Sequence, residues 1–163
     1  MNEISSTPYR LTVPAEMPVP PQRGNAGRPL VDKSVLDRLR EDLDNDTGLV
    51  TAFIADYALY LPRRIQRLRA ALVTGNFDDA VDAVLSLKSS SLMVGATQLA
   101  GLAVDLESRI HVNARPDPAV TLLRAADIFL GPISDCGRHT LNWLMSYSLT
   151  EPPRADSRGW AAG

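Results

Sequence analysis

What this chain has little of narrows it first. It carries one cysteine, Cys136, in 163 residues, so no internal disulfide can form and no multi-thiolate zinc site fits within one chain. A reducing compartment follows. Histidine is nearly as scarce: His111 and His139 are the only two, and with Cys136 they make no metal-ligand spacing. Excess charge of either sign is missing too. A net charge of −2 offers no electrostatic reason to expect nucleic acid or an anionic membrane as partner. No apolar run approaches the ~20 residues of a membrane span, and residues 1–30 lack the apolar core of a signal peptide; a cytoplasmic protein is expected. There is no glycine-rich phosphate loop, since Gly24 and Gly27 sit among prolines and not at a strand-to-helix turn. The serines Ser89–Ser91 have no neighbouring base except Lys88, which points elsewhere on a helix. The sequence thus offers no catalytic constellation, cofactor site or metal site, and an enzyme is not expected.

What is there reads as helix throughout. Apolar content of 45% with 22% charged residues is ordinary for a soluble globule, and this length suits one domain of four or five helices. Residues 1–30 hold six prolines (Pro8, Pro14, Pro18, Pro20, Pro21, Pro29) and read as a disordered tail, with a polyproline ligand at Pro18–Pro21 as the alternative. Asp32 or Ser34 can cap a short helix over Lys33–Leu43. Asp44 to Gly48 then form a turn and helix cap; their acidic cluster lacks the spaced ligands and terminal glutamate of a calcium loop. From Gly48 to Thr74 the residues Leu49, Phe53, Tyr57, Leu61, Ile65, Leu68 and Leu72 make one long stripe. Pro62 should kink that helix without ending it, because the stripe continues in phase. Arg63, Arg64, Arg67 and Arg69 are expected to form a solvated face, with a phosphate or an acidic partner as the alternative. Pro116 and Pro118 mark the start of a last helical segment. Its apolar side is Leu122, Leu123, Ala126, Leu130, Ile133, Leu141, Leu144 and Met145, bent or broken at Gly131-Pro132. Residues 149–163 read as a flexible tail. Nothing reads as strand or repeat.

The organising stretch is Asp79–Glu107. Val84, Leu87, Ser91 and Val94 share one helix face. Gly95 supplies a helix exit, Thr97 can cap the next helix, and Leu99, Leu102, Ala103, Leu106 and Ile110 form its apolar row. The two helices should pack antiparallel, with Ser91, a small residue, near their contact. The segment Val84-Leu85-Ser86-Leu87-Lys88-Ser89-Ser90-Ser91, followed by Val94-Gly95-Ala96, Leu99 and Leu106-Glu107, resembles the signature of histidine phosphotransfer (HPt) domains. That signature runs roughly A-H-x-L-K-G-S-S, then a Gly-Ala turn, then a helix ending in Leu-Glu. Leu87, Lys88, Ser90, Ser91 and Gly95-Ala96 match it. Leu85 stands where the family has its phospho-accepting histidine, and Ser89 where it has glycine.

The resemblance implies an all-α, antiparallel four-helix bundle over residues 31–148, with the short first helix covering one end. It also implies a degenerate module, because leucine has no nucleophilic atom. With Val84, Leu87 and Ser91 inward, Leu85, Lys88, Ser89 and Leu92 face outward, on the surface with which the family docks a receiver domain. The expected function is a phosphorelay component, monomeric, that binds a receiver domain or a histidine kinase without accepting phosphate. The alternatives are an active phosphotransfer protein using His111 or His139 and an unrelated helical adaptor.

Overall fold

Short polar side chains set where each helix begins. The computed structural model describes residues 27–113 and 117–150; the expected disordered tail over residues 1–26 and most of the expected C-terminal tail lie outside them. Asp32, not Ser34, caps α1 (Lys33–Asp42), its carboxylate accepting from the Ser34 amide at 3.0 Å. Asp44 (φ 55°) and Asn45 (φ 60°) then take the left-handed conformation those residue types tolerate, and the chain reverses. Asp46 accepts from the Gly48 and Leu49 amides and starts α2 (Thr47–Thr74). The acidic turn is therefore a helix cap, and no cluster of metal-ligating groups occurs among the described residues. α2 runs through Pro62 unbroken. Gly75 closes it at φ 70°, and Asn76 caps α3 (Phe77–Met93).

Gly95, at φ 72°, turns the chain into α4 (Thr97–Asn113). Thr97 does not cap that helix as expected. It lies in the first turn, and its hydroxyl instead donates to the Pro29 carbonyl at 2.6 Å. Asp117 accepts from the Ala119 and Val120 amides and starts α5 (Pro118–Thr150), which runs through Pro132. Of the bend or break expected at Gly131-Pro132, the break does not occur, since both residues face solvent and a proline lacking its amide costs least where water can reach the freed carbonyl.

The four long helices form a ring in which α2 packs on α3 and α5, and α4 packs on the same two. Pairings across the ring show antiparallel neighbours: Tyr57 early in α2 meets Ser91 late in α3, Arg67 meets Asp82, and Phe77 meets His111. The architecture is the expected all-α bundle. Its core includes Leu61, Leu68 and Leu72, Val84 and Leu87, Leu99, Leu106 and Ile110, and Leu122, Ile133 and Leu144, all fully buried. Each such side chain is worth about 1.5–3 kcal/mol of burial.

α1 covers one end of the ring. Its Leu36 is buried, Arg40 donates to the Tyr147 hydroxyl of α5 at 2.8 Å, and the Asp32 amide donates to the Gly95 carbonyl at 2.7 Å. The packed chain begins before residue 31: Gln98 donates to the Arg28 carbonyl, Leu30 packs on the core and Val31 is buried. At the other end helix persists to Thr150, past the expected boundary at 148. Two stripes also shift. At the start of α2 the buried residues are Val50 and Ile54, with Leu49 half exposed, because a strict every-fourth-residue row drifts around a helix of 3.6 residues per turn. On α5, Leu123 and Met145 face out while Ala125, Phe129 and Cys136 face in. Burial pushes the Cys136 thiol pKa up, which keeps it in the unreactive thiol form.

Candidate functional site

Three consecutive serines on α3 have three different fates. Ser89 is exposed. Ser90 returns its hydroxyl to the Leu87 carbonyl of its own helix at 3.2 Å. Ser91 is fully buried, 3.2 Å from the Tyr57 hydroxyl of α2. The small residue expected at the α3–α4 contact thus reaches toward α2 through its side chain, while its carbonyl accepts from the Ala96 amide in the turn. Sequence reading missed Tyr57 as the partner. The available signal was one polar group on each of two apolar rows, a combination that buried hydroxyls require.

Burial pushes the Tyr57 phenol up to about 12, with the Ser91 hydrogen bond opposing the shift. Because the native phenol holds its proton more tightly than the unfolded one, native stability should fall as pH rises from about 10 to about 12. Tyr57→Phe should remove that part of the alkaline loss and cost about 1–3 kcal/mol at neutral pH, since Ser91 then loses its partner. Urea denaturation at pH 7 and across pH 9–12 tests this; an unchanged alkaline limb in the variant would contradict it.

The outward face of α3 carries Leu85, Ser89 and Leu92 on successive turns, with Leu85 36% and Leu92 53% exposed. Met93, also exposed, extends the apolar strip and was not singled out from the sequence. Lys88 lies on the α4 side of this ridge. Its ammonium is not free: it pairs with the Glu107 carboxylate of α4 at 2.6 Å, both side chains 25% exposed. The pair is sheltered enough to escape full screening by salt. The Leu-Glu end of the sequence pattern therefore has a structural purpose here, holding the lysine beside the ridge.

Neither histidine joins Leu85. His111 is exposed at the end of α4, where Nδ1 lies 2.9 Å from the Glu107 carbonyl and the ring meets Phe77 edge-on. Phe77 opens α3, eight residues and about 12 Å before Leu85 at 1.5 Å per residue. His139 is exposed on α5, the helix diagonal to α3.

Residues 52–128 match the family model described as the Hpt domain, a span that contains Leu85, Lys88, Ser89 and Leu92. Among solved structures, the chain is similar to the crystal structure of histidine-containing phosphotransfer protein B (HptB) from Pseudomonas aeruginosa PAO1, with a TM-score of 0.62 and 20% identity, over 76% of this chain and 98% of that one. At that identity the likeness is one of fold. No curated protein matches the sequence. Among the described residues, no helix is long and apolar enough to cross a membrane.

Proposed function

We propose that the bundle matching the Hpt domain is a degenerate phosphorelay module, one that binds a receiver domain or a histidine kinase in the cytoplasm, as a monomer, without accepting phosphate. The observation that carries this reading is Leu85. Its place in the sequence resembles the acceptor position of the HPt pattern, it lies on the outward face of α3, and a hydrocarbon side chain has no atom that can attack a phosphoryl group. The surroundings support a retained contact surface. Leu85 and Leu92 form an apolar ridge with a cation held beside it by Glu107, and apolar exposure of this kind, on one face, suits a protein partner. A displaced acceptor gains no support from the geometry: the His111 ring is engaged at the end of α4 by the Glu107 carbonyl and Phe77, and His139 lies on α5, the helix diagonal to α3.

Leu85→Ala is the direct test. Fully burying a leucine contributes about 1.5–3 kcal/mol, and with Leu85 36% exposed about a third of that remains for a partner, so binding to a cognate receiver domain should weaken by roughly two- to sixfold. Folding stability should fall by about 1–2 kcal/mol, because most of the side chain is buried in the free bundle. Titration calorimetry with receiver domains encoded alongside the protein provides the measurement. If the variant binds every receiver as well as the parent, the ridge is no docking surface and the bundle serves an unrelated assembly role.

A further inference from the structure

The structure divides the four arginines of α2. Arg69 lines the opposite groove, against α5. Arg63, Arg64 and Arg67 instead line a cavity of about 220 Å³ between α2 and α3, together with Tyr60, Ala83 and Ser86. Arg64 is the centre of this group. Its guanidinium carbon lies 5.8 Å from the Tyr60 ring centroid, and its Nη1 is buried with no hydrogen-bond partner among the described residues. Arg64 is half-buried, unlike its exposed neighbours Arg63 and Arg67, so it is not part of a simple solvated face. A buried, charged donor without an acceptor is a costly arrangement, which rotation of the guanidinium toward an anion in the groove would relieve.

We propose that this groove is a site for a phosphoryl group. Among the described residues the three arginines have one ion-pair partner, Asp82, which meets Arg67 only at 4.0 Å with both side chains more than half exposed. That leaves Arg63 and Arg64, an excess of two positive charges, without an ion-pair partner among the described residues. A phosphoryl group carries about −1.5 to −2 at pH 7 and three strong acceptor oxygens, which matches that excess better than the single charge of a carboxylate. Guanidinium groups along the α2 wall supply paired donors, Ser86 lines the α3 wall, and the small side chain of Ala83 leaves the cavity open. The site stands on this cavity alone and does not depend on whether the Leu85 ridge binds a receiver.

The test uses the full chain and two probes, inorganic phosphate and a short phosphoserine peptide, with sodium chloride adjusted to hold ionic strength constant. Saturable shifts of the amide NMR signals of Tyr60–Arg67 and Ala83–Ser86 are expected. Arg64→Gln and Ser86→Asp should each weaken binding at least tenfold, while Arg69→Gln should leave it within about twofold. Ser86→Asp leaves the arginines intact, so it keeps the test alive if Arg64→Gln fails to fold. Tighter binding of the peptide than of free phosphate would assign the group to a phosphorylated protein, and equal binding would assign it to the free ion; either supports the site. The proposal is overturned if neither probe saturates, if chloride alone gives the same shifts, or if Arg69→Gln weakens binding as much as Arg64→Gln.

Discussion

Gly95→Ala should destabilise the bundle by about 2–4 kcal/mol and lower its melting temperature by roughly 5–15 °C. Two costs combine. The backbone sits at φ 72°, where a residue with a Cβ is disfavoured by about 1–2 kcal/mol. The added Cβ would also lie 2.5 Å from the Asp32 carbonyl oxygen and 3.0 Å from the Val35 Cβ. Both atoms belong to the start of α1, so the methyl group must push that helix off the end of the bundle. Such a shift would break the bond from the Asp32 amide to the Gly95 carbonyl. Gly75 provides the control. It has a similar φ of 70°, but a Cβ there would meet only Ala119, with the nearest atom, its side-chain carbon, at 3.0 Å, and no hydrogen bond of this kind is at stake. Gly75→Ala should therefore cost about 1–2 kcal/mol. Equal losses for the two variants, measured by urea denaturation, would show that backbone conformation alone sets the cost and that α1 does not depend on Gly95.

Leu85→His combined with Ser89→Gly is the second large expected effect. The parent protein should take no label from a phosphorylated receiver domain or an active kinase. Leu85→His alone would place an imidazole on the exposed face of α3, with Lys88 one turn away and held by Glu107. A receiver must still approach that ring closely, and the Ser89 side chain stands exposed on the next turn, at the position that the proposed register aligns with the glycine of the HPt pattern. The single variant should accept phosphate slowly and the double variant at least tenfold faster. Stability should fall modestly, by about 1–2 kcal/mol, since Leu85 is 36% exposed and glycine at 89 lies inside α3. Labelling of the parent protein that disappears with His111→Ala or His139→Ala would defeat the degenerate reading, because an acceptor would then exist elsewhere on the bundle.

Periodicity alone determined much of this protein. The inward row Val84, Leu87, Ser91 and Val94, the α4 row from Leu99 to Ile110, and the left-handed exit at Gly95 all follow from local rules: spacing around a helix, and the conformational freedom of glycine. Those rules also placed Leu85, Ser89 and Leu92 outward, because the faces of one helix are linked by geometry. The tertiary structure decided what each helix face meets. Leu49 and Met145 are as apolar as Val50 and Leu144, yet they face water, since neighbouring helices cover only part of each stripe. That Ser91 meets Tyr57, and Lys88 meets Glu107, depends on how α2 and α4 are set against α3. Likewise, four arginines on one helix read as a uniform polar face until α3 and α5 pack beside it. Packing then places three of them around one cavity and the fourth on the other side. Spacing within a segment carries the first kind of information, and only contact between segments distant in sequence carries the second.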